Sequence, residues 1–211
     1  MNLNELKFTK DLESSEHPED LEYSLKKYGW HVLGTGSDAI VAEHPNKKYV
    51  LKIFANDSYY SNFVNFVKNN QNNPHLPKFS RWVRKIPGTY YNYVRMEKLQ
   101  EIPFIKFENN SFLNELTYLY RRGQMYNICT LAGMLDDDVK KSNLRLDEIK
   151  DKVDNEWKTI CNALVKYSYS INMKNLDLHE SNFMLRDTNT LVIIDPFSET
   201  TIDGKYGERF A

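Results

Sequence analysis

Long apolar runs, cysteine and one-sided charge are all scarce in this chain, and each scarcity removes a class of protein. No uninterrupted apolar stretch approaches the roughly 18 residues expected of a membrane-spanning helix. The opening MNLNELKFTKDLESSEHPED has no apolar centre of the kind a secretory leader needs. Lys and Arg number 28 against 29 Asp and Glu, a net charge of −1, so no global attraction to nucleic acid or an anionic membrane is expected. The two cysteines, Cys129 and Cys161, fall in helix-like segments and read as small core residues rather than a disulfide, which suits a reducing compartment. Five scattered histidines show no zinc spacing. The expectation is a soluble cytoplasmic protein with neither a membrane nor a directly bound nucleic acid as partner.

What is present is a globular composition, 41% hydrophobic and 27% charged over 211 residues, enough to bury a core. Residues 18–28, PEDLEYSLKKY, read as an amphipathic helix with Leu21, Leu25 and Tyr28 on one face and Gly29 as its stop. Residues 30–54 read as strands around a Gly-containing turn and a second tip at EHPNKK. A helix-compatible, Asn-rich piece at 57–70 closes with NNQNNPHLP. Two further strand-like runs, 79–86 and 89–99, flank the turn Pro87-Gly88. Beyond residue 100 the periodicity becomes helical. Residues 111–134 form one such segment. In residues 144–165, Leu146, Ile149, Val153, Trp157, Ile160 and Leu164 step by three or four. The acidic run Asp136–Asp138 between them reads as a solvated connector rather than a metal site. Strands first and helices second predicts an α+β chain of two unequal lobes.

One polar cluster stands out against this plan. NLDLHESNFML, residues 175–185, sets Asp177, His179, Glu180 and Asn182 within an otherwise apolar stretch, and LVIIDPF, residues 191–197, sets Asp195 behind an apolar run. Transfer of the γ-phosphoryl of ATP calls for a carboxylate that orients the attacking hydroxyl, oxygen ligands for Mg²⁺, and cations that offset phosphate charge. Asp177, Asn182 and Asp195 are the right types for the first two tasks. A loop followed by a two-stranded hairpin would return Asp195 to the neighbourhood of the earlier pair.

The order and spacing of these three, five residues and then thirteen, resemble the catalytic and metal-binding loops of the protein-kinase-like superfamily, D-x-x-x-x-N followed by a strand and D-F-G. The resemblance makes Asp177 the catalytic carboxylate and Asn182 and Asp195 the metal ligands. It extends over roughly residues 30–197. GTGSDAIV is similar to the glycine-rich loop at Gly34, Gly36 and Val41, with Ala39 in the third glycine's place. Lys52, in YVLKI, matches the strand lysine that binds ATP phosphates. YVRMEKL resembles the strand entering the hinge, which implies Met96 as gatekeeper and the backbone of Glu97 and Leu99 as the adenine contacts. The implied fold is protein-kinase-like and two-lobed. Its β-rich N-lobe would occupy residues 1–99 and a short, mostly helical C-lobe residues 100–211, as a single domain using ATP and Mg²⁺.

The departures narrow the resemblance. Asn175 stands where the usual His precedes the catalytic Asp, and His179 replaces the Lys that follows it; His179 is read as an aid to the γ-phosphate. The D-F-G position reads Asp195-Pro196-Phe197, and proline fixes φ there. No Glu lies between Glu43 and Glu97, so the lysine's usual acidic partner is missing. Positions 196–211, sixteen residues, leave little room for an activation segment. DLHESNFM and IIDPFS together resemble the early serine/threonine protein kinases of small lytic bacteriophages of the autographivirus type. That implies host proteins as substrates and the host bacterial cytoplasm as location. Two other readings stay open: a pseudokinase-like module that inhibits a host factor by contact, and a small-molecule kinase similar to the aminoglycoside phosphotransferases, in which D-L-H-x-x-N is frequent.

Overall fold

A computed structural model describes residues 18–36, 39–55, 58–80, 82–103, 155–172, 176, 180–187 and 189–197. The anticipated helix at 111–134, the first half of that at 144–165, Cys129 and the acidic run at 136–138 lie outside them. The chain divides into two compact units, residues 1–68 with 77–98, and residues 69–76 with 99–211. The first unit holds an antiparallel sheet, and the described elements of the second are a helix and a hairpin, so the architecture is α+β.

In the first unit, α1 (Pro18–Lys27) leads into β1 (His31–Thr35), β2 (Ala39–Glu43) and β3 (Tyr49–Ala55). Helix α2 (Ser58–Asn69) follows, then β4 (Arg84–Lys85) and β5 (Tyr91–Glu97). The sheet order is β1-β2-β3-β5-β4. Helix α1 ends where the sequence places its stop. Gly29 takes φ +77°, a conformation that costs residues with a Cβ, and its N–H donates to the Lys26 carbonyl at 3.0 Å. The Trp30 N–H reaches back to Leu25 at 3.0 Å, completing a six-to-one capping bond. Trp30 and Leu25 are both buried in the cluster that this turn closes.

Strand register explains why YVLKIFA reads as an almost unbroken apolar run. Leu51 and Ile53 face the α1 side, packed with Leu21, Leu25, Trp30, Ile40, Ala42, Ile86 and Tyr91. Burying each such leucine or isoleucine is worth roughly 1.5–3 kcal/mol. Phe54 faces the other way, its ring centroid 4.8 Å from that of Tyr60 on α2. A strand covered on both faces has no polar alternate positions to show, except where one is needed. In β3 that exception is Lys52.

The run at 79–86 is not the continuous strand expected from its composition. Phe79 bridges Met96 and β4 begins at Arg84 opposite Tyr93, so five steps of chain stand against three on β5. The surplus cannot join the ladder, and Trp82 is thrown out to solvent with the Lys68 ammonium 3.7 Å from its ring centroid.

The second unit contains α3 (Asn155–Ser170), a 3-10 turn (Glu180–Asn182), β6 (Phe183–Arg186) and β7 (Thr190–Ile193). Helix α3 runs past the expected end at 165 and buries Trp157, Ile160, Cys161, Leu164 and Ser168, a one-sided stripe. Cys161 is a buried thiol in no disulfide, as its core reading requires. Strands β6 and β7 form a hairpin whose turn places Asp187 at φ +51°. Both hairpin edges are occupied. Gln100 exchanges two backbone bonds with Leu185 on β6, at 2.8 and 2.7 Å, and the Ile193 N–H of β7 donates to the His75 carbonyl at 3.0 Å.

Candidate functional site

Sheet register in the first unit gathers the nucleotide candidates on one face. Gly34 pairs with Val41, Val41 with Lys52, and Lys52 with Val94, so the four form a row across β1, β2, β3 and β5. Met96, two residues along β5 and opposite Val50, shares that face. Gly36 begins the turn that joins β1 to β2, its N–H donating to the Ala39 carbonyl at 2.8 Å. The turn residues 37 and 38 are outside the described set. At Gly34 a Cβ would find no described atom within 4 Å. Nothing in the packing of the described protein therefore demands glycine there, and the face above it is open to an approaching group.

Lys52 is 7% exposed, and its ammonium sits 3.8 Å from the ring centroid of Tyr60 on α2. The Tyr60 hydroxyl points onward to the Met96 sulfur at 4.0 Å, which ties gatekeeper and lysine candidates to one aromatic side chain. The nearest glutamates in sequence have defined partners elsewhere. Glu43 Oε2 lies 3.0 Å from the Lys98 ammonium, and Glu97 Oε1 accepts the Lys78 N–H at 2.7 Å. The Glu97 N–H donates to the Lys78 carbonyl at 3.0 Å. Leu99 falls in the second unit and is half-buried.

The second unit brings two of the three loop candidates together. The Ile194 N–H donates to the Asn182 carbonyl at 2.9 Å, one step beyond the Phe183–Ile193 pair. That bond continues the hairpin ladder and brings the backbone entering Asp195 alongside Asn182 at the hairpin's open end. Asn182 is buried and Asp195 half-buried. Amide and carboxylate oxygens at one strand end are the donor types that Mg²⁺ accepts when phosphates and water complete its shell. Phe197 anchors the segment after Asp195, its ring centroid 6.0 Å from that of Tyr167 on α3. Burial raises the Tyr167 phenol above its ordinary pKa. Asp177 and His179 are outside the described residues.

Three residues of this arrangement escaped the sequence reading. Val94 completes the row and Tyr60 meets Lys52, yet both look like ordinary core residues in sequence. The third is His75, 3% exposed, whose Nδ1 lies 2.8 Å from the Leu191 carbonyl. Because a carbonyl only accepts, that nitrogen carries the proton. The His75 ring also meets Trp157 edge-on at 5.1 Å, and Arg186 donates to the carbonyls of Pro74 and Leu76. Residues 73–76 are thus a strap clamped to the hairpin and α3, and not merely the close of α2.

No family model matches the chain, and no curated protein does. Among solved structures, one match is a ternary complex of streptomycin, ATP and APH(2")-IIa. It is 15% identical, with 86% of this chain and 70% of that chain covered and a TM-score of 0.36. A likeness of that size assigns neither a family nor an activity. Among the described residues, no helix is long and apolar enough to cross a membrane.

Proposed function

We propose that the chain is an ATP- and Mg²⁺-dependent phosphotransferase that modifies serine or threonine hydroxyls of proteins. The observation that supports this reading is the Ile194–Asn182 backbone bond, which brings the chain entering Asp195 next to the chain at Asn182. The row Gly34–Val41–Lys52 supports the nucleotide half of the reading from the other unit.

The roles follow from the chemistry of each side chain. Lys52 supplies positive charge to ATP phosphates, and the backbone around Gly34 and Gly36 covers them. The face carrying Val41 and Met96 receives the adenine, with the backbone of Glu97 and Leu99 as its polar contacts. Asn182 and Asp195 are the residues that would hold Mg²⁺, which offsets charge on the phosphates. Asp177 orients the incoming hydroxyl and accepts its proton. The hydroxyl oxygen bonds to the γ-phosphorus as the bond to the bridging oxygen breaks, and ADP leaves. His179 contacts the γ-phosphate. The choice of protein substrates, in particular host proteins met by a lytic phage, rests on the likeness of DLHESNFM and IIDPFS to that group.

The test is incubation with γ-labelled ATP and a bacterial lysate. Wild-type protein is expected to label protein bands on serine or threonine, and Asp177→Asn is expected not to. Equal labelling by both proteins would remove Asp177 from the chemistry, and labelling of small molecules alone would remove proteins as the substrate.

A further inference from the structure

Lys52 is a long, cationic side chain in a buried strand, and settling it in one arrangement costs rotamer freedom. We infer that the ring face of Tyr60 holds the Lys52 ammonium where it can receive phosphate, so that Tyr60 is a positioning residue for nucleotide binding. The inference rests on the phosphotransferase reading and extends it to a residue that the sequence motif does not contain.

Geometry carries the case. At 3.8 Å from the ring centroid, the ammonium is well within the roughly 6 Å over which a ring quadrupole attracts a cation. Tyr60 is itself held on several sides, as a positioning group must be. Its ring packs at 4.8 Å against Phe54, 5.9 Å against Phe63 and 6.3 Å against Phe79, and its hydroxyl meets the Met96 sulfur. Helix α2, SYYSNFVNFVKN, contains no acidic residue, and what it presents to the Lys52 ammonium is the Tyr60 ring.

The consequence is one of orientation: an ammonium seated on a ring face is held at one place on the sheet face that the phosphates would approach.

The discriminating pair of variants is Tyr60→Phe, which keeps the ring face, and Tyr60→Leu, which keeps apolar bulk without it. Two readouts are taken on the full chain: ATP affinity by calorimetry with Mg²⁺, and the proton shifts of the Lys52 Cε methylene by NMR. The methylene protons are expected upfield of ordinary lysine in wild type and Tyr60→Phe, and at ordinary values in Tyr60→Leu. ATP affinity is expected within about twofold of wild type for Tyr60→Phe and down about tenfold for Tyr60→Leu, comparable to a modestly desolvated cation–π contact. An unshifted methylene in folded wild type overturns the inference whatever ATP does. So does wild-type ATP affinity in a folded Tyr60→Leu when Lys52→Met loses it. Absence of ATP binding in wild type defeats the phosphotransferase reading instead, and is recognised separately because the methylene shift does not depend on nucleotide.

Discussion

His75 Nδ1 meets the Leu191 carbonyl oxygen at 2.8 Å across 116 residues of sequence, locking the strap at 73–76 to the strand that leads to Asp195. Replacing the ring with Ala removes that donor, leaves a buried carbonyl without its partner and opens space beside Trp157. His75→Ala is expected to cost about 2–4 kcal/mol by these two effects together. Urea denaturation followed by fluorescence measures it, and a midpoint equal to wild type at unchanged slope would show the bond to be incidental.

Asp195 and Asn182 should differ from Asp177 in what they take away. Asp195→Ala is expected to abolish the Mg²⁺-dependent part of ATP binding. Asp177→Asn leaves binding near wild type and lowers phosphotransfer at least about 10²-fold, as general-base losses do. Titrating ATP with and without Mg²⁺ against both variants separates the roles, and identical losses in the two would contradict them.

Gly34 offers a test in which stability and binding part company. Gly34→Val puts a β-branched side chain where a Cβ meets no described atom, and its strand conformation is not left-handed. Thermal stability is expected to stay the same or rise slightly. ATP affinity is expected to fall about tenfold or more, because the branch occupies the face that the phosphates would approach. Loss of stability with unchanged affinity would place the glycine's role in folding.

Tyr91 sets an alkaline limit. Burial, and then its hydroxyl contact with Tyr90 at 2.6 Å, raise the Tyr91 phenol well above its ordinary value of 10.0. The folded state therefore favours the neutral phenol more than the unfolded chain does. Its stabilising contribution is complete below the unfolded pKa, near 10, and is lost as pH rises from there through the raised folded value. Stability measured from pH 8 to 11 should decline, and Tyr91→Phe should decline less steeply over the same range.

How far the sequence could be read depended on whether a residue's partners were close by. Gly29 was legible because a helix stop is written within six residues, and the Gly36 turn and the tip at 44–48 were legible for the same reason. The hairpin between Asn182 and Asp195 was legible because two short apolar runs either side of a polar turn have few other ways to pair. Lys52 was readable as the one cation in an apolar strand, but its contact with Tyr60 was not, since one aromatic on an apolar helix face looks like any other. The break between Phe79 and Arg84 depends on counting residues against β5, which no property of the run itself reveals. His75 was the least legible of all, because the long-range contacts described for the strap are made with residues beyond 155.

That last feature bears on the order in which the protein takes shape as it is synthesised. All five strands of the first sheet have been made once residue 97 leaves the ribosome, while residues 73–76, which fall between the first unit's two segments in sequence, must wait. The strap's distant partners, Glu156, Trp157, Arg186, Leu191 and Ile193, are made at least 80 residues after it. A chain stopped anywhere before the hairpin would thus hold a finished sheet interrupted by an unanchored loop containing His75. Closure of that loop is a late, long-range event, the kind of contact that slows folding and that a truncated product can never complete.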